Sequence, residues 1–98
     1  MSGQIAIEPS SGELKMGSIA EETEMVLNNL GAVLKEAGSD FNRIIKTSIF
    51  LSDMSLFAEV NAIYAKRFTS DFPARETVAV AGLPKGVNVE ISAIAIAD

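Results

Sequence analysis

Ser18-Ile19-Ala20-Glu21-Glu22-Thr23-Glu24-Met25-Val26-Leu27-Asn28-Asn29-Leu30-Gly31-Ala32-Val33-Leu34-Lys35-Glu36-Ala37-Gly38 carries the start, the period and the stop of one amphipathic helix. Apolar residues recur at Val26/Leu27, Leu30, Val33/Leu34 and Ala37, a 3.6-residue repeat that puts them on one stripe. Ser18 is in N-cap position with Glu21 three residues on, the spacing of a capping box. Glu21, Glu22 and Glu24 suit the positive end of the helix dipole, and Gly38 supplies the left-handed residue that stops the helix. The predicted helix therefore runs from Ile19 to Ala37.

The elements on either side alternate in kind. Upstream, Gln4–Ile7 reads as a short strand closed by the turn cluster Pro9-Ser10-Ser11-Gly12. Downstream, Asn42–Leu51 is rich in β-branched residues and reads as a strand. Its two faces, Ile45/Thr47/Ile49/Leu51 and Ile44/Lys46/Ser48/Phe50, are both partly apolar. A second helix is predicted over Ser55–Phe68, with Phe57, Val60/Asn61, Tyr64 and Phe68 on one stripe, and Pro73 bars its continuation. Thr77–Ala81 and Val87–Ala97 follow as strands joined by Gly82-Leu83-Pro84-Lys85-Gly86. The order β-α-β-α-β-β makes residues 1–98 a single α/β (α+β) domain, with two helices on one face of a mixed sheet.

Composition narrows the chemistry. With 48% hydrophobic residues the chain can build a core. It contains no cysteine and no histidine, so thiol nucleophiles, thiolate metal sites and histidine bases are excluded. Carboxylates, arginine, lysine, hydroxyls, backbone amides and water remain. A net charge of −5 with scattered basic residues argues against a nucleic-acid partner. No apolar run is long enough for a membrane span and no cleavable signal follows Met1, which predicts a soluble protein of the cytoplasm. Any organelle address would have to lie upstream of Met1.

The last two strands are predicted to form a hairpin. Val78 and Val80 find apolar partners in Val87 and Val89 if position numbers across the ladder sum to about 167. Arg75 and Thr77 would then share a face with Ser92 and Glu90, Arg75 and Glu90 lying diagonally roughly 7–8 Å apart. Ile94 and Ile96 fall on that same face. Two helices cover only the other one, so the pattern predicts a homo-oligomer, with Arg75 and Glu90 at a subunit seam.

Two residues stand out for chemistry. Arg75, held behind Pro73 at the start of a strand, can clamp a carboxylate through two parallel hydrogen bonds. Its alternative is an ion pair with Glu76 or Asp71. Glu90, a carboxylate in an apolar strand, can orient a water or relay a proton. Its alternative is an ion pair with Arg75 or Lys85. Thr77 offers a hydroxyl or an N–H, and Ser2-Gly3-Gln4 offers backbone amides to an anion. Glu21, Glu22 and Glu24 read as a solvated helix face rather than a metal site, and Phe57, Tyr64 and Phe68 as core.

The strings Ser2-Gly3-Gln4-Ile5, Val26-Leu27-Asn28-Asn29-Leu30, Ile45-Lys46-Thr47, Phe57-Ala58-Glu59-Val60-Asn61, Phe72-Pro73-Ala74-Arg75, Leu83-Pro84-Lys85-Gly86-Val87 and Val89-Glu90-Ile91-Ser92-Ala93-Ile94-Ala95 stand in this order along the chain. Taken together, they resemble the reactive intermediate deaminase (RidA) family. The resemblance runs over essentially the whole chain. It implies a chorismate-mutase-like fold (bacillus type) assembled as a homotrimer with sites between subunits. It further implies hydrolysis of 2-iminobutanoate, 2-iminopropanoate and related enamines to 2-oxo acids and ammonia, without metal or organic cofactor. By resemblance Arg75 grips the substrate carboxylate and Glu90 positions the attacking water. Backbone amides at Gly3 and Thr77 complete an anion pocket, and Phe57 and Asn61 lie nearby.

The chain departs from the family pattern twice. Relatives usually carry a further strand ahead of the Ser-Gly-Gln turn, with a Gly-Pro-Tyr segment whose tyrosine lines the pocket, whereas the one tyrosine here is Tyr64. Without that strand, a sheet edge is left unpaired and the pocket partly open. Position 77 is threonine where relatives often have cysteine or another small residue. Two alternatives to a deaminase are a non-catalytic trimer that binds small carboxylates, and a ribonuclease or translation inhibitor, against which the acidic charge and the missing histidine speak.

Overall fold

The computed structural model describes residues 3–68 and 73–97. The first helix, α1 (Ile19–Glu36), begins as its caps require: the Ser18 hydroxyl accepts from the Glu21 N–H at 3.0 Å, and Glu21 Oε1 in return accepts from the Gly17 N–H at 3.0 Å. At its end Gly38 takes φ 78°, the Ser39 N–H reaches back to the Leu34 carbonyl at 2.8 Å and the Gly38 N–H to Lys35 at 3.1 Å. This is the paired closure of a Schellman motif, which only a residue tolerant of positive φ completes cheaply.

Strand β1 (Ile44–Leu51) follows a single 3-10 turn at Phe41–Arg43. Helix α2 (Phe57–Ala65) is entered through another at Met54–Leu56, capped by the Asp53 carboxylate on the Ser55 N–H. Strands β2 (Ala74–Ala79) and β3 (Val89–Ala95) complete a three-stranded sheet of order β2-β1-β3.

That order overturns the predicted hairpin. β2 pairs with β1 in parallel (Thr47 with Arg75, Ile49 with Thr77), and β3 pairs with β1 antiparallel (Ser48 with Ser92, Phe50 with Glu90). The parallel pair requires a crossover, and α2 supplies it. Residues 80–88 then carry the chain past the end of β1: the Val80 N–H donates to the Leu51 carbonyl at 2.9 Å and the Ser52 N–H to the Asn88 carbonyl at 3.0 Å. β1 is central because both its faces are apolar enough to be covered, whereas an edge strand tolerates the polar run of β2.

The faces follow from the register. Thr47, Ile49 and Leu51 of β1, with Val89, Ile91 and Ala93 of β3, point to the helices and pack on Val26, Leu27, Leu30, Leu34, Val60 and Tyr64. A bulge between Ile44 and Lys46 turns Ile44 into the core and leaves Ile45 53% exposed, against the regular alternation expected there. Phe50, Val78, Glu90, Ser92 and Ile94 lie on the opposite face. Glu76 lies there too, accepting from the Ser48 hydroxyl at 2.9 Å and pairing with Lys46 at 3.5 Å, which together hold its carboxyl below the usual range.

Gln4–Ile7 is not a strand. Gln4 makes a two-way bridge with Ile91 on the outer edge of β3, and Ile7 bridges back to Leu14. Between them the Asn29 amide donates to the carbonyls of Ile5 (2.9 Å) and Ile7 (2.8 Å), and the Lys15 N–H donates to that of Ala6. A side chain of α1 thus takes the place of a ladder partner. Among the described residues no further strand pairs with β2 or β3, and no helix is long and apolar enough to cross a membrane.

Candidate active site

Arg75 stands at the start of β2 on the helix side of the sheet, opposite Thr47. Its guanidinium lies over two rings of α2, 5.5 Å from the Phe57 centroid and 5.4 Å from that of Tyr64. Nη1 donates to Asn61 Oδ1. Phe57, Asn61 and Tyr64 recur at the spacing of one helix face, so α2 presents two aromatic planes and one acceptor to a single cation. Contact with both planes orients the guanidinium, and the Asn61 bond fixes one of its nitrogens. Arg75, Asn61, Tyr64, Ala65 and Pro73 line a cavity of about 290 Å³.

The Tyr64 phenol does not face this cavity freely. It is 4% exposed, and its hydroxyl shares a 2.7 Å hydrogen bond with the Thr47 hydroxyl, itself fully buried. Burial pushes the phenol above its ordinary value, while the Thr47 bond and the Arg75 charge pull it back in part. The hydroxyl therefore stays protonated and Tyr64 acts on Arg75 as a neutral aromatic plane. Thr77, two residues beyond Arg75 on the same face, buries its hydroxyl with no hydrogen-bond partner among the described residues.

Glu90 is on the other face of the sheet, paired with Phe50. The expected diagonal contact with Arg75 is absent because β1 separates the two strands and because the parallel register turns Arg75 inward. Glu90 instead abuts Gly3: a Cβ at Gly3 would collide with the carboxylate. Gly3, Glu90, Gln4, Ile5 and Pro84 border a second cavity of about 560 Å³, floored by Asn29, Ala32 and Val33 of α1. The six residues singled out by sequence therefore form two groups. Arg75, Asn61 and Phe57, with Thr77 nearby, are on one side of the sheet; Gly3 and Glu90 are on the other.

The ion-pair alternatives fare differently. Glu76 cannot pair with Arg75, since it is tied to Ser48 and Lys46 on the opposite face. Asp71 and Phe72 lie outside the described residues. No Lys or Arg bridges Glu90 among the described residues.

The contacts of two residues escaped the sequence reading. Tyr64 reads as core and is core, yet its ring also carries Arg75; the signal was its three-residue spacing from Asn61. Glu22 reads as part of a solvated face and is instead fully buried. Its Oε2 accepts from the N–H of Asn88 at 2.7 Å and of Val89 at 2.9 Å, and Oε1 accepts from Asn88 Nδ2 at 3.0 Å. Nothing in a run of three glutamates marks which of them turns inward.

Against known proteins, the profile of the family described as Endoribonuclease L-PSP matches residues 1–97. A human protein named 2-iminobutanoate/2-iminopropanoate deaminase is 50% identical over 96 residues, which are 98% of this chain and 70% of that one. The crystal structure of the yeast protein YEO7 superposes with a TM-score of 0.95 at 46% identity, covering all of this chain and 78% of that one. The structure of TdcF from E. coli, with bound serine, gives 0.91 at 35% identity, over all of this chain and 79% of that one. The two helices over a mixed sheet are those of the chorismate-mutase-like fold these proteins share, and the chain belongs to the endoribonuclease L-PSP, or RidA, family.

Proposed function

We propose that this chain is an enamine/imine deaminase, hydrolysing 2-iminobutanoate and 2-iminopropanoate to the 2-oxo acids and ammonia. The observation that carries the reading is the setting of Arg75. A guanidinium stacked on two rings, with one nitrogen fixed by Asn61, offers its remaining edge to a cavity suited to a small carboxylate. The name of the human relative supports the choice of substrate.

In this reading the active unit is a homotrimer of single-domain subunits (residues 1–98), and each site is shared. Arg75 and Glu90 lie on opposite faces of one sheet, so they meet across a seam in which one subunit supplies Arg75, Asn61 and Phe57 and its neighbour supplies Gly3 and Glu90. The apolar outer face, with Ile45, Val78 and Ile94 between 42% and 57% exposed, favours such assembly. Arg75 holds the carboxylate of the imino acid, and the N–H groups of Gly3 and Thr77 add donors. Glu90 takes a proton from water as the oxygen attacks the imine carbon. That proton passes to the nitrogen to give a carbinolamine; Glu90 then takes the proton of the new hydroxyl and returns it to the nitrogen as the C–N bond breaks, releasing ammonia and the 2-oxo acid. The chemistry asks for no metal or organic cofactor, no nucleic acid and no membrane, and suits the cytoplasm.

Arg75→Ala is expected to abolish turnover of freshly generated 2-iminobutanoate while sedimentation still reports the parent assembly. Parent-level turnover in that variant would end the proposal. A parent protein that binds 2-oxobutyrate yet turns nothing over would be a carboxylate-binding trimer instead.

A further inference from the structure

We infer that Glu22, on α1, is a positioning residue for Glu90; the inference rests on the deaminase reading for its kinetic consequence but not for its geometry. In a regular strand, successive N–H groups point to opposite sides. Here those of Asn88 and Val89 converge on one oxygen, Glu22 Oε2, at 2.7 and 2.9 Å. Convergence requires the bend at Asn88 from which β3 starts, and that bend decides which residues of β3 face inward. Val89 is fully buried and Glu90 is turned out towards Gly3.

The bend is held from two sides, by Glu22 and by Ser52. Besides the two N–H groups, Glu22 takes the Asn88 side-chain amide at 3.0 Å. The Ser52 hydroxyl donates to Asn88 Oδ1 at 3.0 Å, and the Ser52 N–H to the Asn88 carbonyl at 3.0 Å. One residue beyond Glu90, Ile91 is bridged in both directions to Gln4, at 2.8 and 3.1 Å. The Glu90 backbone is therefore clamped before and after, and the clamp on the near side is a buried carboxylate reaching from another element. A carboxylate serves here because it is acceptor-only and meets three donors. Glutamine keeps the length but turns an NH₂ group towards one of them.

The effect on catalysis should fall on kcat. Arg75, which binds the substrate carboxylate in that reading, makes no hydrogen bond to Glu22, Asn88 or Ser52, whereas misplacing a water-steering group by about 1 Å can cost on the order of 100-fold in rate. The test compares Glu22→Gln and Glu22→Ala with the parent. Expected are a kcat reduced by on the order of tenfold in Glu22→Gln and further in Glu22→Ala, an unchanged KM, and unchanged affinity for 2-oxobutyrate. The ¹³C resonance of the Glu90 carboxyl should move in Glu22→Gln, while that of Glu76 stays put. Should the Glu90 resonance match the parent in a folded Glu22→Gln protein, the inference is overturned, whatever the activity. Glu90→Gln run in parallel separates the two readings: full turnover there removes Glu90 from the reaction, and the carboxyl resonance still decides whether Glu22 sets its position.

Discussion

Replacing Tyr64 by phenylalanine keeps the ring under Arg75 and removes one oxygen, isolating the bond between Tyr64 and Thr47. That bond is 2.7 Å long between a residue 4% exposed and one fully buried. Without the phenol oxygen, the Thr47 hydroxyl is left in a dry environment. A buried hydroxyl deprived of its partner costs about 1–3 kcal/mol, more than the net worth of the bond itself. For a domain of this size, each kcal/mol lowers the thermal midpoint by about 4–8 °C. Tyr64→Phe should therefore melt roughly 4–24 °C below the parent at equal protein concentration. Adding Thr47→Val removes the stranded hydroxyl with little change of shape, and replacing both partners by apolar groups is close to neutral. The double variant should recover most of the loss, a coupling of about 1–2 kcal/mol in the cycle. Urea unfolding followed by far-ultraviolet circular dichroism measures all four proteins, with equal m-values as the check that the unfolded states compare. The reasoning fails if Tyr64→Phe matches the parent within about 0.3 kcal/mol, or if the double variant is as weak as the two losses added. Turnover should stay within a few-fold of parent throughout, because the stacking plane survives.

Tyr64 is the only tyrosine and there is no tryptophan, so phenolate absorbance reports this one site. Its value in the fold is raised above 10.0, so the stability it contributes is complete below pH 10 and is lost as pH rises through the folded value. The phenolate signal should accordingly appear later in folded than in urea-unfolded protein, and coincident curves would contradict the burial argument. Gly38→Ala should cost about 1 kcal/mol, since alanine strains at φ 78° where glycine does not; calorimetry showing no loss would mean α1 closes without the Schellman bonds.

How much of this was legible depended on whether a residue's role was local. The ends of α1 were readable because Ser18, Glu21 and Gly38 act within a few residues of themselves. The partner of β2 was not, because pairing Val78 and Val80 with Val87 and Val89 satisfies alternation equally well in a hairpin that does not form. The deciding clue lay in β1, where Ile44, Ile49, Phe50 and Leu51 leave neither face polar: a strand of that kind belongs in the middle. The candidate site shows the same divide. Arg75 and Glu90 could each be singled out from their own surroundings, but which face each occupies depended on β1 lying between their strands and on a parallel register. Glu22 required knowing where β3 would begin, some 66 positions along the chain.

The central place of β1 also has a consequence for how the chain comes into being. The apolar run Ile44–Leu51 leaves the ribosome well before either neighbour, first β2 at Ala74 and last β3 at Val89. Until then both of its edges are open, and α1 has no completed sheet to lie on. No contiguous half of the chain contains a finished sheet, so this protein cannot be assembled piecemeal from its N-terminus. The strand that seals it is also the one that carries Glu90, which ties the closing of the core and the arrival of that carboxylate to a single event.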